Sequence, residues 1–165
     1  MDNLNLFSIP ASKVKVGDID VGYKKIGTGP PIFLIIGYSV SMNNWSSTLI
    51  SNLSKDHTVF IFDNRGIGNT TAGYKNFTIN QFTEDTVGLI NALHINKPDI
   101  MGFSMGGFIA QDIAVTNPQK INKLVIYASV CGGPESTPLH ETSTKITLIS
   151  KNIRVLSWIN ASEIS

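Results

Sequence analysis

One serine in this chain stands in a spacing that suits covalent acyl-transfer chemistry. Ser104 is the centre of Gly-Phe-Ser-Met-Gly at residues 102–106, which has the form Gly-x-Ser-x-Gly. In a nucleophile elbow of this form, the serine occupies a strained turn between a strand and a helix, where its hydroxyl is exposed. The flanking Gly102 and Gly106 keep side chains away where the strand and the helix crowd together. The motif therefore predicts a nucleophile, although five such residues also fit an ordinary tight turn.

The residues on either side of the motif favour the elbow over the tight turn. Residues 99–103, Asp-Ile-Met-Gly-Phe, have the composition of a strand, and residues 105–113 carry apolar side chains at helical spacing. The start of a helix presents unpaired backbone N–H groups and the positive end of the helix dipole. Because such donors stabilise a developing oxyanion, the Met105 N–H is predicted as the first oxyanion donor.

A second donor is expected from the loop at residues 37–39, Gly-Tyr-Ser, which follows the apolar run Ile-Phe-Leu-Ile-Ile at residues 32–36. An elbow of this kind takes one N–H from the residue after the nucleophile and one from a loop after an earlier strand. We expect the Tyr38 N–H to be that second donor. The alternative is a plain strand-to-helix turn, which Gly37 would also permit.

The rest of the chain alternates between strand-like and helix-like segments. Uninterrupted apolar runs predict strands that are buried on both faces, and alternation with helices is typical of a parallel α/β sheet. A three-layer α/β sandwich with a mostly parallel sheet is therefore predicted. The predicted elements are a hairpin over 14–26 with its turn at Gly17-Asp18, strands over 32–36, 58–62, 99–103 and 123–128, and helices from Trp45, from a capping box at Thr78 and Gln81, and from Ser104.

The composition excludes several functional classes. The 165 residues carry a net charge of +1 without a basic or acidic block, so neither nucleic acid nor a membrane is expected as a partner. Cys131 is the single cysteine, and no Cys/His cluster has metal-ligand spacing, so no metal or cofactor is predicted. The N-terminal residues lack a basic segment followed by a long apolar run, and a cytoplasmic location is therefore expected.

Taken together, four segments resemble the α/β-hydrolase superfamily, in its esterase, lactonase and haloperoxidase-like branch. They are Ile-Phe-Leu-Ile-Ile-Gly at 32–37, Phe-Asp-Asn-Arg-Gly at 62–66, Gly-Phe-Ser-Met-Gly-Gly at 102–107 and Leu-Val-Ile-Tyr-Ala-Ser at 124–129. The resemblance implies a serine hydrolase that acts on a small ester, lactone or related acyl substrate. We expect the segment at 63–66 to be a structural loop that holds neighbouring turns together, rather than a source of chemistry.

The resemblance also implies a catalytic acid and a later histidine, and the chain offers only weak candidates for both. In such hydrolases the order is serine, acid, histidine, and 61 residues follow Ser104. Glu135 and His140 are the candidate acid and base, with ordinary surface residues as the alternative. His57 and His94 precede the serine and are expected at the opposite edge of the sheet.

We therefore expect the N-terminal part of a hydrolase, without the C-terminal strands and most of the cap. Residues 1–135 are predicted to belong to the core, and 136–165 to begin a helical cap or lid. Three functional hypotheses stay open: a Ser104 hydrolase completed by residues outside this chain, an inactive binding module that retains the elbow, and a compact enzyme using Glu135 and His140. An uncovered sheet edge and an apolar tail helix would favour self-association.

Overall fold

The computed structural model describes residues 4–130, which form one sheet with helices on both faces. The strands stand in the order β1-β2-β4-β3-β5-β6. The hairpin β1–β2 is antiparallel and meets β4 in an antiparallel pairing, whereas β4, β3, β5 and β6 are mutually parallel. The strands are β1 Ser12–Val16, β2 Ile19–Ile26, β3 Pro31–Ile35, β4 Thr58–Phe62, β5 Asp99–Phe103 and β6 Leu124–Tyr127, and the helices are α1 Ser47–Leu53, α2 Ile79–Ala92 and α3 Met105–Thr116.

The two central strands are buried on both faces, which confirms the prediction from their apolar runs. Alternate residues of β3 enter different clusters: Phe33 packs on the side of α2 and α3, and Leu34 packs on the side of α1. On β4, Phe60 and Ile61 divide in the same way, and the rings of Phe33 and Phe60 stack with centroids 4.6 Å apart. The predicted three-layer α/β sandwich is therefore correct.

The boundaries of the elements follow the sequence signals closely, with one difference at the start of α2. The Thr78 hydroxyl accepts a hydrogen bond from the backbone N–H of Gln81, as an N-cap does. The Gln81 side chain does not complete the capping box, because its amide instead donates to a carboxylate oxygen of Asp85 at 3.0 Å. The N-cap prediction is correct, and the reciprocal half of the box is wrong.

A buried arginine joins the hairpin, the loop after β4 and helix α2. The Arg65 side chain is fully buried and contacts two carboxylates, each through two hydrogen bonds. It donates to Asp18 in the hairpin turn at 2.8 Å twice, and to Asp85 on α2 at 2.7 and 2.9 Å. Two-point pairing of this kind is the geometry that a guanidinium favours. The structural role expected for the loop at 63–66 is therefore confirmed for Arg65.

Several predictions concern residues outside the described range. The tail helix, the division at residue 135 and the cap all fall there and stay predictions. Within residues 4–130, β6 pairs with β5 on one side only, and self-association through that edge also stays a prediction. None of the helices that the structure describes is long and apolar enough to cross a membrane.

Replacing Arg65 with Met should destabilise the fold by about 3 kcal/mol or more, because two buried carboxylates would lose their counter-charge. The matched control is Lys15→Met, which removes an exposed cation paired with Asp20 at 3.8 Å and should cost at most about 1 kcal/mol. Urea unfolding followed by circular dichroism measures both. Equal losses in the two variants would contradict the structural role of Arg65.

Acid should weaken the fold through Asp18. The Arg65 guanidinium holds the pKa of Asp18 well below its usual range; burial opposes this, and backbone N–H groups of Tyr74 and Lys75 assist it. Because the folded pKa lies below the unfolded value, the stabilisation is complete above about pH 4 and is lost as the pH falls further. Unfolding midpoints measured between pH 7 and 2 should therefore drop more steeply in the parent than in Asp18→Asn. Parallel curves would refute this assignment.

Candidate active site

Ser104 lies at the junction of β5 and α3 in a backbone conformation that L-residues rarely adopt. Its φ is 53° and its ψ is −119°. The residue is half-buried, and its main chain is held from two sides: its N–H donates to the Tyr127 carbonyl at 3.1 Å, and its carbonyl accepts from the Gly107 N–H at 2.8 Å. Strained residues of this kind persist only where the surroundings fix them, and they cluster at functional sites. The geometry is that of a nucleophile elbow.

The glycines of the elbow allow the backbones of β3, β5 and α3 to approach one another closely. A Cβ atom on Gly106 would lie 2.0 Å from the Ile35 carbonyl oxygen, and one on Gly102 would lie 2.2 Å from the Gly106 carbonyl oxygen. Both positions are thus closed to any side chain. The sequence predicted this close packing of strand and helix for Gly102 and Gly106.

Gly107 has a further role that the sequence reasoning missed. A Cβ atom there would lie 2.4 Å from the Cβ of Ser129, just beyond β6. The Ser129 hydroxyl is buried, and it has no hydrogen-bond partner among residues 4–130. The second glycine of the Gly-Gly pair could have predicted this contact, since it marks a helix face that packs closely against the sheet.

The loop after β3 lies beside the serine. A Cβ atom on Gly37 would lie 3.3 Å from the Ser104 Cβ, so only a glycine leaves room for Ser104 without a shift. Tyr38 and Ser39 form a turn in which Ser39 has a φ of 57°. Tyr38 itself is 75% exposed.

Two backbone donors near Ser104 are available to a ligand. No hydrogen bond formed within residues 4–130 uses the N–H of Tyr38 or of Met105. Met105 begins α3, so its N–H also benefits from the positive end of the helix dipole. Both N–H groups are thus unpaired within residues 4–130, and Met105 directly follows Ser104.

The structure does not bring a base to the serine within the range that it describes. His57 precedes β4 and His94 precedes β5, so both lie at the amino-terminal edge of the parallel strands, as predicted, while Ser104 lies at the carboxyl-terminal edge. Glu135 and His140 fall outside the described residues. Between residues 4 and 130 no three metal-ligating side chains come together.

Comparison with known proteins agrees with the α/β fold described above. The profile of the alpha/beta hydrolase fold family matches residues 30–152. The chain is 34% identical over 112 residues to a protein of Mycobacterium tuberculosis named "Putative non-heme bromoperoxidase BpoC", covering 67% of this chain and 42% of that protein. It is 32% identical over 116 residues to a pyrrolizixenacetamide deacetylase of Xenorhabdus hominickii, covering 70% of this chain and 43% of the relative.

A solved structure extends the comparison to three dimensions. The enol-lactonase of Burkholderia xenovorans superposes with a TM-score of 0.65 at 27% identity, covering 68% of this chain and 45% of the lactonase. The chain therefore spans less than half the length of these relatives. The superposition agrees with the α/β fold described above.

Gly106→Ala should destabilise the protein by about 3 kcal/mol or more, because the new methyl group would meet a backbone carbonyl that side-chain rotation cannot move. In an unobstructed helix the same change would stabilise by about 1 kcal/mol. The control is Gly17→Ala, where nothing lies within 4 Å of the new atom and only the left-handed backbone opposes the change, by about 1–2 kcal/mol. Urea unfolding compares the two, and a milder effect at Gly106 would contradict the packing.

Proposed function

This chain belongs to the alpha/beta hydrolase fold family, and from that membership we propose that it carries the nucleophile of a serine hydrolase. Its substrate would be a small ester, lactone or related acyl compound. The observation that carries the proposal is the left-handed backbone of Ser104 at a strand-to-helix junction. Relatives named as a deacetylase and an enol-lactonase point to the same substrate class.

In the proposed reaction the Ser104 hydroxyl oxygen attacks the acyl carbonyl carbon while a base takes its proton. The carbonyl oxygen becomes an oxyanion, which accepts hydrogen bonds from the N–H groups of Tyr38 and Met105. Collapse of this intermediate expels the alcohol oxygen, which receives the proton, and leaves an acyl group on Ser104. Water then attacks the acyl-enzyme by the reverse sequence, releasing the acid and restoring the serine.

The base decides how fast this chain can react. Without a triad member, the oxyanion hole and substrate binding still supply on the order of 10³–10⁴ in rate over water. Glu135 as the acid and His140 as the base, or an acid and a histidine from residues beyond this chain, would supply the rest of the rate acceleration. The chain therefore needs a base, in addition to Ser104 and the two N–H donors, before Ser104 reaches the rate of a complete serine hydrolase.

The alternative is a binding or interaction module in which the elbow is retained without catalysis. The position of His57 and His94 at the opposite edge of the sheet favours this alternative for the described residues alone. A compact enzyme that uses Glu135 and His140 differs from both hypotheses, because its reactivity would be lost in His140→Ala. Covalent labelling separates the three.

A fluorophosphonate probe should phosphonylate the chain at Ser104, because the probe's phosphoryl oxygen can occupy the same oxyanion hole. Ser104→Ala should abolish the labelling, and Ser129→Ala, which alters another serine near the elbow, should retain it. Intact-mass spectrometry with peptide mapping measures the adduct. Absence of any adduct on folded parent protein would reject the activated serine and favour the binding module.

Tyr38→Pro should lower the labelling rate by about 10²-fold or more, since proline removes the proposed N–H donor. A β-turn with a positive φ at its third residue accepts proline at its second residue. In this turn Tyr38 is the second residue, and Ser39, the third, has a φ of 57°. Tyr38→Phe retains the N–H and serves as the control. The rates are measured from the adduct formed at successive quenched time points in the parent and the two variants. Equal rates in Tyr38→Pro and Tyr38→Phe would exclude this donor.

A further inference from the structure

The loop that carries Tyr38 is held at both ends by two adjacent buried side chains. The Asn64 amide donates to the Ile36 carbonyl at 3.1 Å, just before the loop. The Asp63 carboxylate accepts from the Met42 N–H at 2.7 Å, just after it. Asp63 is 1% and Asn64 4% exposed. The five residues 37–41 therefore lie between two backbone groups that are held in place, the Ile36 carbonyl and the Met42 N–H.

These two side chains are themselves rigidly placed. They follow β4, which pairs with β3, the strand from which the loop departs. The Asp63 N–H donates to the Gly22 carbonyl at 3.0 Å, and the second oxygen of its carboxylate accepts from the Asn69 N–H at 2.8 Å. Gly68 leaves room for that carboxylate, since a Cβ atom there would lie 2.3 Å from it.

A buried lysine extends the same anchor. The Lys24 ammonium donates to the Asn43 side-chain oxygen at 2.5 Å and to the Leu6 carbonyl at 2.6 Å. Lys24 is 3% exposed, and this burial lowers the pKa of its ammonium group, while the negative charge of Asp63 opposes the shift in part. The short 3₁₀ helix Met42–Asn44 that closes the loop is thus bound from two sides.

The loop itself has few means of fixing its own conformation. Tyr38 is 75% exposed, and Ser39 holds a left-handed backbone that costs about 1 kcal/mol or more in a residue other than glycine. Such a turn persists when its ends are fixed from outside. The fixed ends at Ile36 and Met42 provide that constraint.

We propose that Asn64 and Asp63 are positioning residues for the oxyanion hole, which hold the loop at 37–41 so that the Tyr38 N–H faces Ser104. The role of Tyr38 rests on the proposed function. The clamp, meaning the bonds from Asn64 to Ile36 and from Met42 to Asp63 at the two ends of the loop, does not. The two residues act through the loop backbone and contact no reacting atom. Their neighbour Arg65, by contrast, serves the hairpin and α2.

The test compares Asn64→Leu with Thr70→Val in the full chain. Leucine retains the branched shape of asparagine and loses the bond to Ile36. Thr70 lies in the same buried turn, where its hydroxyl donates to the Asp63 carbonyl at 2.7 Å and accepts from the Gly22 N–H at 2.9 Å; valine removes both bonds and none to the loop. Asn64→Ala, which loses the same bond to Ile36, replaces Asn64→Leu if circular dichroism shows that the latter is unfolded.

Two readouts are measured on each variant. In peptides covering residues 37–42, the hydrogen-bonded amide that the structure describes is that of Met42, which donates to Asp63 at 2.7 Å. Its hydrogen exchange should accelerate about 10-fold or more in Asn64→Leu and stay within about 2-fold of the parent in Thr70→Val. The fluorophosphonate labelling rate should fall about 10- to 100-fold in Asn64→Leu, since a small displacement of a donor costs this much, and by less than about 3-fold in Thr70→Val.

The outcomes separate the clamp from the proposed function. Unchanged exchange at 37–42 in Asn64→Leu overturns the proposal, whether or not the parent is labelled. Faster exchange with an unchanged labelling rate also overturns it, because the loop would then move without affecting Ser104. If the parent is not labelled at all, the activated serine fails, and selective loosening of the loop in Asn64→Leu still supports the clamp.

Discussion

The close approach of the first turn of α3 to strand β3 is the constraint on which the site depends. A Cβ atom added to Gly106 would lie 2.0 Å from the Ile35 carbonyl oxygen, and one added to Gly102 would lie 2.2 Å from the Gly106 carbonyl oxygen. Because both backbones are fixed so near each other, the residue between them must turn sharply. Ser104 adopts that turn in a left-handed conformation, and the Met105 N–H at the start of the helix has no partner within residues 4–130.

In the loop after β4, three consecutive buried side chains contact different parts of the fold. Arg65 binds Asp18 and Asp85 and so joins the hairpin to α2, on the side of the sheet away from α1. Asp63 and Asn64 point instead to the segment after β3. Buried polar groups need partners to offset their desolvation, and here those partners are the backbone groups at the two ends of the loop that carries Tyr38.

The sequence was sufficient for the elements and the elbow because local signals agree with the fold there. The apolar runs of β3 and β4 predicted burial on both faces, and the glycines around Ser104 predicted close packing. The partners of Arg65 could not be predicted, since Asp18 and Asp85 lie far from it in sequence and nothing local marks them. Lys24 was equally hidden, because a lysine in a strand normally faces solvent. The Gln81 side chain departed from the capping box because Asp85, one turn further along α2, offered a charged acceptor.

A crystal structure of the chain after fluorophosphonate labelling tests the proposed oxyanion site most directly. We expect a phosphorus atom bonded to the Ser104 oxygen, with the phosphoryl oxygen about 2.7–3.1 Å from the backbone nitrogens of both Tyr38 and Met105. A phosphoryl oxygen directed to solvent, or an adduct on a different residue, would contradict the assignment of Ser104 and its two donors as one oxyanion-stabilising site.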